Sequence, residues 1–175
     1  LIHDETNALP MPVPLLGAMA DRARFFHRHR MLAGGTQADL RTLPFNPWNY
    51  YAYPRFLWKV EQGPEEVRQE FFPGYYREAA APMLRYYDSI ERHLLANGIS
   101  LERRGYDYGP NTNAYPLAVL REMHQHLLKA ERDARYWVTR QRVQKAREGF
   151  AWVIAWRGLR VEDLAPDRQT EATAY

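Results

Sequence analysis

The residue types best suited to chemistry gather between positions 34 and 50: Gly34, Gly35, Thr36, Gln37, Ala38 and Asp39, followed by Asn46, Trp48 and Tyr50. Gln37 and Asp39 carry amide and carboxylate groups that hydrogen-bond hydroxyls, and Trp48 offers a flat ring on which a sugar can stack. Position supports this use. The apolar run at 31–35 reads as a brief strand, and (β/α) folds expose their site residues at the C-terminal ends of strands. The substrate-binding candidates are therefore Gln37, Asp39, Asn46 and Trp48, lining one edge of a cleft. The plainer reading of the same letters is that Asp39 and Asn46 cap the loop and the next helix, and that Trp48 is a core residue.

Other chemistries find less. The histidines are His3, His27, His29, His93, His124 and His126, and the close pairs are two residues apart, so their side chains diverge on a helix instead of sharing a metal. His3-Asp4-Glu5 is dense in ligand atoms and defines a metal-dependent alternative; no metal site is assigned. The only serines, Ser89 and Ser100, sit in a helix and at a helix-to-loop junction, which argues against acyl transfer. Gly34-Gly35-Thr36 lacks the later glycine and lysine of a phosphate loop, so no nucleotide or other cofactor is expected.

The elements that must position these residues follow from spacing and punctuation. Pro10, Pro12 and Pro14 predict an extended loop over 1–14. Leu15, Leu16, Met19, Ala23 and Phe26 recur at helical spacing over 15–29. After the strand at 31–35 and a loop to 46, Asn46-Pro47 opens a helix running through Trp58, with a kink or break expected near Tyr53 because of Pro54. Gly63-Pro64-Glu65-Glu66 opens another, Pro73-Gly74 closes it, and a further helix runs from Tyr75 to Asn97-Gly98, with Pro82 as a bend. Residues 99–115 form an irregular connection. Pro116 opens a helix striped by Leu117, Leu120, Met123, Leu127 and Leu128, which pairs as a hairpin with a last helix carrying Trp137, Val143, Ala146, Phe150, Val153 and Ile154. The end, 165–175, is polar and expected to fray.

Composition narrows the class. The 175 residues suit about one domain, and 46% hydrophobic with 26% charged residues suffices for a core. Lys plus Arg exceed Asp plus Glu by 24 to 21, a formal charge of +3 without a basic run, so a nucleic-acid partner is not implied. No stretch of eighteen apolar residues marks a membrane span. With no cysteine, disulfides and thiol chemistry are absent, and compartment is not assigned. The chain starts at Leu1 without an initiator Met, which predicts a fragment or processed piece.

More than half of the 24 aromatic residues lie between 45 and 87. Such a cluster is either a core between helices or the lining of a pocket for rings and sugars. The core reading expects Phe56, Trp58, Phe71, Phe72, Tyr76 and Tyr86 to be buried, so that Trp58→Ala impairs folding by about 3–5 kcal/mol.

The order Gly34-Gly35-Thr36-Gln37-Ala38-Asp39, then 46–58, then 64–94 with Phe71-Phe72-Pro73-Gly74-Tyr75-Tyr76, Ala79-Ala80 and Tyr86, resembles the end of the catalytic barrel and the start of the C-terminal helical domain in bacterial α-glucuronidase-like proteins. The resemblance covers residues 10–155 and is nearest to a group of uncharacterised relatives, a domain of unknown function. It implies a helical module attached to a glycoside-hydrolase-like barrel, of which this chain keeps the last α/β piece. The acid and base of the barrel then lie on earlier strands outside this chain. Gln37 stands where such proteins often carry an acidic residue, and Pro54 where a small residue is usual.

The expected architecture is mainly α: a helical bundle-like domain over 47–164 with one short residual β/α unit in 1–46 and a tail over 165–175. The expected role is to buttress the barrel, with a carbohydrate, the N-terminal barrel of the same protein and a second copy in a homodimer as candidate partners. No catalytic residue is assigned within the chain. The rival reading is a stand-alone helical protein-interaction module without a ligand.

Overall fold

Apolar residues spaced three and four apart produce six α-helices among the residues that the computed structural model describes, namely 2–6, 12, 16–31, 34–38, 43–98 and 114–165. In chain order the elements are β1 (Ile2–Thr6), α1 (Leu16–Arg28), β2 (Gly34–Ala38), α2 (Pro47–Trp58), α3 (Pro64–Tyr76), α4 (Ala80–Ala96), α5 (Leu117–Asp133) and α6 (Trp137–Trp156), with short 3-10 turns at Leu43–Phe45, Arg77–Ala79 and Val161–Leu164. The fold is mainly α. Asp39, the connection at 99–113 and the tail at 166–175 lie outside the described residues.

The N-terminal part differs from the sequence expectation in two places. Ile2–Thr6 is a strand and not a loop, because the constraint imposed by Pro10, Pro12 and Pro14 reaches only one residue back from each ring. The other strand is Gly34–Ala38, displaced from 31–35, because the chain after α1 is taken up by the closure of that helix. Arg30 adopts a left-handed φ of 52°, and Met31 N–H donates to Phe26 C=O while Arg30 N–H donates to His27 C=O. This is the double bond pattern that a glycine usually supports at a helix end. β1 and β2 pair in parallel, Ile2 opposite Gly34 through Thr6 opposite Ala38, with α1 as the crossover.

Proline does less damage than its position suggests. α2 runs without interruption past Pro54, which lies on the exposed side, while Trp48, Ala52, Tyr53 and Phe56 anchor the opposite side in the core. α3 likewise passes Pro73-Gly74, because Phe71, Phe72 and Tyr76 continue one buried stripe beyond them. It ends at Arg77, whose φ of 49° turns the chain into α4. Pro82 occupies the first turn of α4, where its missing N–H has no partner to lose.

The core is aromatic. Trp48, Phe56, Phe72, Tyr76, Tyr86, Tyr87, Tyr115 and Phe150 are essentially sealed from solvent. Two of the buried hydroxyls are anchored on backbone carbonyls: Tyr87 donates to Phe45 C=O at 3.1 Å, and Tyr115 donates to Pro12 C=O at 2.6 Å, tying Pro12 to the helical body. α5 packs against both α4 and α6. Of the six residues expected in the core between 45 and 87, five are buried and Trp58 is not, being 93% exposed at the last position of α2. Trp137, read as part of the α6 stripe, is also exposed. Trp58→Ala is accordingly expected to change stability by no more than about 0.5 kcal/mol, measured as an unchanged melting temperature. A drop comparable with that of a core truncation would place Trp58 inside.

Candidate functional site

Of the four residues proposed for sugar contact, Asn46 and Trp48 are the two whose surroundings are described, and both are buried. Gln37 sits in β2 opposite Glu5 of β1, and Asp39 lies outside the described residues. Asn46 is fully buried at the residue preceding α2; its carbonyl accepts from Asn49 N–H at 3.2 Å and its side chain makes no capping bond. Trp48 is wholly buried, with Phe72 edge-on and Tyr87 tilted against it, both at centroid distances of 5.3 Å. A ring platform needs a free face. Trp48 has none, and the sugar-stacking role assigned to it from sequence is corrected to a core role, as is the contact assigned to Asn46.

Perturbed ionisable groups converge instead beside Trp48, where α1, α3 and α4 meet. The Arg68 guanidinium of α3 lies 5.9 Å from the Trp48 ring centroid and pairs with two carboxylates of α4, Asp88 at 3.1 Å and Glu91. Asp88 and Glu91 are three residues apart, so they project from one face of the helix one turn from each other. The Arg68–Asp88 contact is an ion pair without hydrogen-bond alignment. Glu91 also accepts the backbone N–H of Gly17, in the first turn of α1, where the exposed amides and helix dipole favour a negative charge.

Burial raises the pKa of both carboxylates above the ordinary range, and Arg68 offsets this only in part. Two carboxyl groups with raised pKa beside a cation are a composition suited to proton transfer. Here their oxygens already face Arg68 and the amide of Gly17, which makes the cluster a clamp joining the crossover helix α1 to α3 and α4. Sequence reasoning missed it, although a signal existed: Glu91 interrupts the buried stripe Tyr87, Ile90 and Leu94, and an acid on an apolar stripe needs a partner.

His124 is mostly buried, parallel to Phe150 at a centroid distance of 5.9 Å, and its Nδ1 lies 3.0 Å from Arg147 Nη1. Burial, and then the Arg147 charge, lower its pKa, so it is a neutral core imidazole at pH 7. Among the described residues no three histidine or acidic side chains gather to hold a metal ion, and no helix is long and apolar enough to cross a membrane. No protein-family model, curated protein or solved structure matches the chain.

Proposed function

We propose that this chain is a helical buttress that docks on the end of a parallel β/α body in a carbohydrate-active protein, while the bond-breaking groups lie on other strands. The observation that carries this is the β1–β2 pair. Parallel strands occur in sheets covered on both faces, and a two-stranded sheet is marginal by itself in water. Among the described residues no third strand pairs with either edge, and on this reading the neighbouring strands belong to the β/α body on which the chain docks. The Arg68–Asp88–Glu91 clamp and the Tyr115–Pro12 bond would then transmit rigidity from the helical domain to that sheet. The carbohydrate class rests on the resemblance in residues 10–155. A second reading, a helical interaction module with no sheet partner, draws on the exposed Trp58.

Hydrogen exchange separates the two. In the isolated chain the amides of Gly34–Ala38 are expected to exchange far faster than those of α4, and to become protected when the chain is joined to the full β/α protein. Strand protection equal to that of α4 in the isolated chain would mean that the pair is self-sufficient, and the buttress reading would fall. The isolated chain is also expected to turn over no aryl glycoside. Turnover that disappears in Asp39→Asn would make Asp39 catalytic.

A further inference from the structure

The outward side of α6, with Tyr75 of α3, forms an open cavity of about 680 Å³, within the range of ligand-sized sites. Its chemistry is cationic and aromatic. Arg142 is held in place: its guanidinium lies 4.0 Å from the Tyr75 ring centroid, and its Nη1 donates to the Tyr75 carbonyl at 2.6 Å. That leaves the other N–H groups of a fixed planar fork available. Arg140, also in the lining, has no ion pair among the described residues. Lys145 is neutralised by Glu148 at 2.7 Å, so the two guanidiniums set the local charge.

An aromatic anchor stands on the same face. Trp137 precedes Gln141 and Gln144 by four and seven residues, which places it in their row, and it is 66% exposed. At the N-terminal end of α6, Tyr136 is 59% exposed with the Arg77 guanidinium 5.3 Å from its ring centroid. The nearby acid, Glu78, is engaged by the backbone N–H groups of Arg135 and Tyr136 at 2.6 and 2.9 Å, which fixes the start of α6 and lowers the pKa of that carboxyl.

We propose that this face of α6 binds an acidic peptide segment of a partner protein that crosses the helix, with Arg140 and Arg142, two residues apart and so on opposite flanks of the face, each holding a separate carboxylate and Trp137 packing on a neighbouring apolar side chain. Trp, Tyr and Arg are the residue types that dominate binding energy at protein interfaces, and a guanidinium fork matches a carboxylate in two parallel bonds. Gln141 and Gln144 supply amides that can pair with an extended backbone. A phosphodiester chain fits less well, because it carries a charge at every residue, whereas this face offers two guanidiniums that form no ion pair among the described residues and the whole chain carries a formal charge of only +3. The site is independent of whether β1 and β2 belong to a larger sheet, and a failure here leaves the exchange experiment untouched.

The test selects a random-peptide display library on the full 175-residue chain and measures the enriched peptides by titration calorimetry. Enrichment of peptides rich in Asp and Glu is expected, with binding weakened about tenfold by Arg140→Gln and by Trp137→Ala, the loss of one charge-assisted contact or one aromatic anchor. Both replaced side chains lie on the surface of α6, so unchanged melting temperatures confirm that the variants fold. Three outcomes overturn the proposal: no enrichment, enrichment of basic or neutral peptides, or acidic peptides whose affinity both variants leave unchanged. Tighter binding of oligothymidylate or oligogalacturonate than of any selected peptide, lost in the same variants, reassigns the face to nucleic acid or saccharide and also overturns it.

Discussion

Trp48→Ala should lower the stability of the chain by about 3–5 kcal/mol, a large share of the ~5–15 kcal/mol that holds a domain together. Trp48 is fully buried, and its removal opens a cavity bounded by Phe72, Tyr87 and the Arg68 guanidinium. Those neighbours are themselves fixed by α3 and α4, so the site can collapse only in part. The expected reading in a thermal melt is a fall of roughly 6–20 °C at this chain length. Trp48→Phe, which keeps most of the ring, should lose clearly less. An unchanged melting temperature in Trp48→Ala would return Trp48 to the surface and revive its role as a sugar platform.

Arg68→Ala comes next in size, at about 2–3 kcal/mol at neutral pH. Removing one partner of a fully buried ion pair costs about 3–5 kcal/mol, and the figure is reduced here because the Arg68 and Asp88 side chains are 21% and 26% exposed. The loss should depend on pH in a definite direction. Burial raises the folded-state pKa of Asp88 and Glu91, so their contribution to stability is fully present below the ordinary carboxylate range and is lost as pH rises through the raised folded values. Without Arg68 the raising is larger and the penalty at pH 7 grows. The melting deficit of Arg68→Ala should therefore be greatest near neutrality and shrink on acidification, and adding Asp88→Asn and Glu91→Gln should recover part of it at pH 7. A deficit that is constant with pH, or that widens in acid, would show that Arg68 acts through packing on Trp48 and not as the counter-ion of the clamp.

These two variants touch neighbouring side chains that sequence reasoning treated very differently. Trp48 was legible as an aromatic of interest but not as to side. On α2, Trp48, Ala52, Tyr53 and Phe56 share the buried face, while Trp58 falls off it. Tyr50, Tyr51 and Leu57 blur that division, because aromatic and aliphatic residues surround the helix and leave only a weak amphipathic pattern. Arg68, Asp88 and Glu91 are ordinary charged letters on helices, and their meeting joins positions 68, 88 and 91 to the amide of Gly17.

What the sequence determined by itself is the set of features decided within a turn or two of chain: the mainly α class, the start of α2 at Asn46-Pro47, the start of α3 at Gly63-Pro64 with Glu66 accepting the Gly63 amide, and the apolar stripes of α5 and α6. Proline at a helix start and apolar periodicity act through neighbours up to four residues apart, and the letters state them directly. Only the tertiary structure decided that α2 and α3 would pass through Pro54 and Pro73, that one tryptophan of α2 would be sealed and the other exposed, and that β1 and β2 would pair across α1. The reason is energetic: burying an aromatic side chain is worth several kcal/mol, enough to offset a lost helical bond, and which residue is buried depends on partners tens of residues away in the chain.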